Sequence, residues 1–270
     1  MTVLKCVDNL DFMAKYQDNY FNLICTSPPY NIPIAYGKRM PFDCYLKQMR
    51  KVIKECDRVL NSTGAIIWQV GNYVDKDGSI LPLDVYFLPM FLKLGYKLRN
   101  RVALITEFGQ HSKHRLSGRW ECFLWLTKSD NYTFNLDEIR IPQLYPGKKA
   151  YKGPNAGNLS SNPLGKNPGD HWKYNPVRSN HPEKVDHPCA FPLDIVFKWI
   201  KAFSNISDKV LDPFMGVGSI PISAKALGRK GYGCDLKQDY VDIAVNRLQQ
   251  LKRGELKARI NGETILLHMG

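Results

Sequence analysis

One stretch constrains the fold of this chain more than any other. Val210-Leu211-Asp212-Pro213-Phe214-Met215-Gly216-Val217-Gly218-Ser219 passes from an apolar run through a glycine turn into a helical pattern that reaches Leu227, and a second apolar run, Gly231-Tyr232-Gly233-Cys234, ends at Asp235. A strand that turns sharply into a helix and is followed by another strand predicts a parallel pair. Such turns lie at the carboxyl edge of the sheet, where open α/β proteins bind ligands. Gly216 and Gly218 let the backbone approach a ligand closely, and Asp235 can accept hydrogen bonds from both ribose hydroxyls of a nucleoside. The same glycines also suit a tight turn with no ligand, and many nucleotide-binding proteins share the arrangement.

The rest of the chain repeats the alternation. Leu4-Lys5-Cys6 reads as a short strand before Asp8, and Asn9 to Lys15 as a helical turn. Phe21 to Cys25 is an apolar strand that runs into Thr26-Ser27-Pro28-Pro29-Tyr30, where paired prolines stop both the ladder and a following helix. Tyr45 to Leu60 carries apolar residues at helical spacing, and Ala65 to Val70 is a buried strand. Pro82 to Leu94 reads as a helix that Pro89 can kink. Leu98 to Thr106 and Glu121 to Thr127 read as strands flanking a basic loop, His111-Ser112-Lys113-His114-Arg115. Composition shifts at about Asp130, and as far as Asp186 the chain is rich in Asn, Pro, Gly, Tyr and Lys without periodicity; irregular stretches of this length are usually functional. Helices at Pro192 to Phe203 and Asp239 to Leu251 follow, then a hairpin around Asn261-Gly262. Strands alternating with helices predict an α/β fold with a mostly parallel sheet.

Composition adds a partner class. The 38 Lys and Arg exceed the 25 Asp and Glu, a formal net charge of +13, which suits a polyanion such as nucleic acid as well as a solvated basic surface. The seven Cys show no paired spacing, no apolar run could span a bilayer, and the six His show no metal-ligand spacing. The expectation is a cytoplasmic protein with reduced thiols and no metal or membrane.

Asp212-Pro213-Phe214-Met215-Gly216-Val217-Gly218-Ser219 resembles the cofactor motif of amino-group DNA methyltransferases, usually Asp-Pro-Phe-x-Gly-Ser-Gly-Thr-Thr; Val217, Ser219 and Ile220 depart from it. Ser27-Pro28-Pro29-Tyr30 resembles the family's (Asp/Asn/Ser)-Pro-Pro-(Tyr/Phe/Trp) catalytic signature. The chemistry suits these residue types. A base amino nitrogen is a poor nucleophile, because its lone pair is delocalised into the ring. The Ser27 oxygen and the Pro28 carbonyl can accept its hydrogens, rigid Pro28 and Pro29 fix those acceptors, and Tyr30 can stack on a flipped base. Catalytic signature first and cofactor motif last is the order of the β class. Lys166-Asn167-Pro168-Gly169-Asp170-His171-Trp172 and His187-Pro188-Cys189-Ala190-Phe191-Pro192 resemble further motifs of that class, and the likeness covers Leu4 to Leu251.

The resemblance implies a Rossmann-like methyltransferase fold with an inserted target-recognition region: a catalytic half over 1–129, the recognition region over 130–186 and a cofactor half over 187–270. It implies S-adenosylmethionine bound by Asp8, Thr26, Phe191, Asp212, Phe214, Gly216, Gly218 and Asp235. It implies double-stranded DNA as substrate, with Lys38, Arg39, Lys113 and Arg115 on the phosphates, a cognate restriction endonuclease as companion, and a homodimer as an assembly common in the class. Ser27 points to cytosine N4; adenine N6 is the alternative. An RNA or protein-glutamine methyltransferase and an idle DNA-binding module also stay open. Pro188-Cys189 resembles the nucleophile of cytosine-C5 enzymes, against which Ser27-Pro28-Pro29-Tyr30 argues. His181 and His187 read as structural.

Overall fold

The computed structural model of the chain describes residues 1–32, 39–109 and 111–270. Its elements in chain order are β1 (Thr2–Cys6), α1 (Asn9–Met13), β2 (Phe21–Thr26), α2 (Phe42–Val59), β3 (Leu60–Val70), β4 (Asn72–Val74), β5 (Ile80–Pro82), α3 (Leu83–Leu92), β6 (Lys97–Ile105), β7 (Trp120–Thr127), β8 (His171–Lys173), α4 (Leu193–Phe203), β9 (Lys209–Asp212), α5 (Ser219–Ala226), β10 (Lys230–Asp235), α6 (Gln238–Arg253), β11 (Leu256–Ile260) and β12 (Glu263–Leu267).

Among the described residues, eight strands form one sheet in the order β1-β10-β9-β2-β3-β7-β6-β8. The first five are parallel; β7 is antiparallel to both β3 and β6, and β8 is parallel to β6 at the edge. This is the expected mostly parallel sheet. From β9 the chain winds outward to β10, and from β2 it winds the other way to β3. Their shared boundary is a topological switch point, where a crevice opens beyond the carboxyl ends of the strands.

Strand alternation builds a core on each face. In β3, Ile66, Trp68 and Val70 join Phe12, Met49, Ile53, Phe87 and Phe91 of α1, α2 and α3. Ala65 and Ile67 point the other way, toward Ile195, Trp199 and Ile220 of α4 and α5. α2 begins at Phe42, three residues before the expected start, because Pro41 serves as its N-cap with extended backbone. Pro89 lies inside α3, and its carbonyl still accepts from Lys93 N–H at 3.1 Å. β11 and β12 form the expected hairpin, with Asn261 at φ 51° and Gly262 at φ 88°, as a two-residue turn of this kind requires. The β4–β5 hairpin was not expected: three-residue strands carry too little periodicity to read.

The stretch from 130 to 186 holds one 3-10 turn (Leu136–Ile139), short bridges such as Ile141↔Lys166 and Lys149↔Leu159, and β8. Its far end is fastened by Glu183, a buried carboxylate that accepts from Leu193 N–H at 2.9 Å and Arg259 N–H at 2.8 Å. No described helix is long and apolar enough to cross a membrane.

Candidate active site

Five of the sheet's strands deliver polar residues to the crevice. β9 ends in Asp212 and β10 in Asp235, with β2 between β9 and β3 ending in Thr26. The Thr26 hydroxyl donates to Asp212 Oδ1 at 2.7 Å, and Phe214 N–H donates to the same oxygen at 3.0 Å. This buried bond joins residues 186 positions apart, and ties the strand leading into Ser27-Pro28-Pro29-Tyr30 to the glycine turn. Asp212 is buried and takes part in no ion pair among the described residues; burial pushes its carboxyl up to about 7.

The turn itself is held from three sides. Gly216 N–H donates to Asp235 Oδ2 at 3.0 Å, and Lys237 N–H to Asp235 Oδ1 at 2.9 Å. Gly218 sits at φ 78°, and a Cβ there would lie 2.9 Å from Ala244 Cβ and 3.0 Å from Ile222 Cδ1. A glycine is therefore needed for backbone conformation and for packing against α6. Arg247, buried on α6, donates to Val217 O at 2.7 Å. Burial lowers its guanidinium to about 10. His187 packs beneath the turn, its Nε2 3.1 Å from where a Gly216 Cβ would stand, and its ring meets Tyr240 edge-on. Burial, then the positive charge of Arg247, lowers its pKa to about 4 and leaves it neutral near pH 7.

The other expected cofactor residues surround this turn. Asp8 follows β1 and accepts from Leu10 N–H at 2.8 Å, capping α1. Phe214 lies edge-on to Trp68, at 6.5 Å between ring centroids. Phe191 tilts against Trp199 at 4.9 Å, and its carbonyl accepts from Ser219 Oγ at 3.0 Å.

Next to the turn stands a hydrogen-bonded group at the ends of β2, β3 and β7. Ser27 Oγ donates to Gln69 Oε1 at 2.5 Å, and the Tyr30 hydroxyl donates to the same oxygen at 2.7 Å. Gln69 Nε2 donates in turn to Glu121 Oε2. Gln69 is fully buried. Burial pushes the Glu121 carboxyl up, while the bonds from Gln69 and Tyr30 pull it back. The Pro29 carbonyl accepts from the Tyr45 hydroxyl at 2.8 Å. Gln69, Glu121 and Arg247 escaped the sequence reading. They lie inside runs read as strand or helix, and only the sheet register brings Gln69 opposite Phe123 and so beside Glu121.

The expected phosphate contacts differ among themselves. Lys113 and Arg115 are exposed. Arg39 is half-buried, donates to Val74 O at 3.0 Å and lies over the Tyr73 ring. Lys38 lies outside the described residues. Cys189 is exposed, yet its thiol is pushed up by desolvation and by Glu121, the opposite of what a thiolate nucleophile needs. No cluster fit to hold a metal ion occurs among the described residues.

This constellation fits a nucleoside cofactor: a glycine turn stands at the carboxyl ends of the parallel strands β9 and β10, between the Asp212 carboxyl, which accepts from Phe214 N–H, and the Asp235 carboxyl, which accepts from Gly216 N–H. A family model described as DNA methylase, of the N6/N4 type, matches residues 21–246. The type II methyltransferase M.BglII of Bacillus subtilis is 44% identical over 237 residues, which is 88% of this chain and 66% of that protein. Two solved structures share the fold. The cytosine-N4-specific PvuII DNA methyltransferase covers 90% of this chain and 85% of its own, at a TM-score of 0.70 and 16% identity. The M1.HpyAVI–SAM complex covers 92% and 99%, at 0.63 and 19%. The chain belongs to the DNA amino-methyltransferases, the DNA methylase family of the adenine-N6 and cytosine-N4 type, and S-adenosylmethionine is its cofactor.

Proposed function

We propose that the chain methylates cytosine N4 on a base flipped out of duplex DNA at a specific site. The observation that carries this reading is Ser27, a neutral side chain whose own hydrogen is committed to Gln69. Its remaining lone pairs are thereby left for the hydrogens of a base amino group. The Pro29 carbonyl is engaged by Tyr45, so the second acceptor of the motif is the Pro28 carbonyl. S-adenosylmethionine supplies an electrophilic methyl on a sulfonium that departs as a neutral thioether. Ser27 and Pro28 hold the amino nitrogen in line with that methyl, and Tyr30 offers its ring face to the base. As the nitrogen–carbon bond forms, the nitrogen becomes cationic and readily loses a proton to water, so no strong base is required beforehand. Mass spectrometry of nucleosides from DNA treated with the enzyme is expected to show N4-methylcytosine. N6-methyladenine alone would transfer the reading to adenine, and 5-methylcytosine would overturn the mechanism.

Asp212, Asp235, Gly216, Gly218, Phe214, Thr26, Asp8 and Phe191 form the cofactor site in this reading. Its electrostatics make a second prediction. Burial raises Asp212 to about 7, and a sulfonium nearby stabilises the ionised form, so binding releases a proton from the fraction of Asp212 that carries one. Affinity must then rise with pH through 7 and level off above it. The dissociation constant at pH 6 is expected to be about tenfold weaker than at pH 8. Calorimetry across that range checks it, and Asp212→Asn should flatten the profile.

The segment 130–186 and the loop carrying Lys113 and Arg115 supply DNA contacts in this reading, the basic side chains meeting phosphates and the segment reading bases. The halves 1–129 and 187–270 carry catalysis and cofactor. M.BglII is a type II methyltransferase, and on that likeness a cognate restriction endonuclease is proposed as companion. A homodimer and a cytoplasmic location complete the reading.

A further inference from the structure

A serine hydroxyl can donate as well as accept, and this makes it an ambiguous partner for an amino group. If its hydrogen faces the base, it repels the very hydrogens it should receive. In this protein the ambiguity is removed by two residues that need touch neither base nor cofactor. Gln69 presents its carbonyl oxygen to both Ser27 Oγ, at 2.5 Å, and the Tyr30 hydroxyl, at 2.7 Å. A buried amide could equally turn its NH₂ toward them. Glu121 forbids this, because its carboxylate faces the other end of the amide, where an amide oxygen would meet a carboxylate oxygen and only Nε2 is tolerated. Tyr30 also lies within 3.3 Å of Glu121 Oε2. The group is closely fitted: a Cβ on Gly71 would stand 2.9 Å from Tyr30 Cε2 and 3.0 Å from Glu121 Oε1.

We infer that Gln69 is a positioning residue, oriented by Glu121, that makes the Ser27 hydroxyl an acceptor only and so aims it at the substrate amino group. The inference rests on the role proposed for Ser27. It gives Glu121 a purpose that its burial next to neutral groups otherwise lacks. It also explains how serine can serve where a carboxylate would accept without help.

The test is a set of mutant cycles on the full-length enzyme, read by single-turnover methyl transfer, S-adenosylmethionine affinity and thermal midpoint. Gln69→Met fills similar space but offers no acceptor. It is expected to lower the transfer rate about tenfold, the worth of one hydrogen bond, with cofactor affinity within twofold of the parent. Glu121→Met, which frees the amide to turn, should lower the rate similarly. The decisive reading is the background. In Ser27→Ala, adding Gln69→Met should change the rate less than twofold, whereas in Tyr30→Phe the tenfold loss should persist. A loss that persists undiminished in Ser27→Ala would overturn the inference and leave Gln69 a packing residue, as would an unchanged rate in Gln69→Met. Full activity of Ser27→Ala itself would instead overturn the role of Ser27, and the inference with it.

Discussion

Replacing Ser27 by alanine is expected to slow methyl transfer by about 10²–10³-fold, the usual cost of deleting one preorganised hydrogen-bonding partner at a reacting centre. The side chain is small and half-buried and donates to Gln69, so the fold should survive. Thr26 and Asp212, the neighbouring bond that ties this strand to the cofactor turn, are untouched. S-adenosylmethionine affinity should accordingly remain within about twofold, because binding and chemistry draw on different atoms. The measurement is a single-turnover rate beside a calorimetric titration. A rate within threefold of the parent would show that Ser27 does not hold the amino group. Equal losses in rate and cofactor affinity would show that it acts on the turn.

Gly231→Ala should produce the largest loss of stability. Gly231 lies on β10, next to the edge strand, paired with Thr2 on one side and Val210 on the other. A methyl group there would stand 2.1 Å from the Pro221 carbonyl oxygen and 2.7 Å from its carbon. Both are backbone atoms of α5, so no side chain can swing aside; either the helix lifts or the ladder breaks. The cost should exceed about 3 kcal/mol, above the usual range for an extra core methylene. That corresponds to a fall in melting temperature of roughly 6–12 °C for a chain of this size. A midpoint within 3 °C of the parent would mean that α5 floats on the sheet and is not seated against it.

The parts legible in the sequence were those marked by residues with few conformational options. Pro28-Pro29 ended β2, Gly216 and Gly218 announced the turn, and Asn261-Gly262 announced the last hairpin; each follows from the backbone alone. Long apolar periods gave α2, α4 and α6. The unreadable features depended on register. Gln69 near the end of an otherwise apolar strand and Glu121 at the start of another are unremarkable until an antiparallel ladder sets Gln69 opposite Phe123. Glu183 lies in a stretch with no period at all, and its partners, Leu193 and Arg259, are 10 and 76 residues away. Three-residue strands such as β8 are too short for an alternating pattern. The glycine turn was read in its position but not in its whole cause: closeness to Ala244 of α6 excludes a side chain at Gly218.

The edge strand β1 has a consequence for how the protein comes into being. Thr2 pairs with Gly231 and Cys6 with Asp235, so β1 waits for a strand made far later in synthesis. During synthesis the strands β2, β3, β6 and β7 can assemble early, but β9 and β10 must then insert between β2 and a β1 held in reserve. Closing so long a loop before its contacts form slows folding. The nascent chain meanwhile carries Ser27 and Tyr30 with no turn to hold a methyl donor. The central part of the sheet is therefore complete only once β9 and β10 have been made and have entered between β1 and β2.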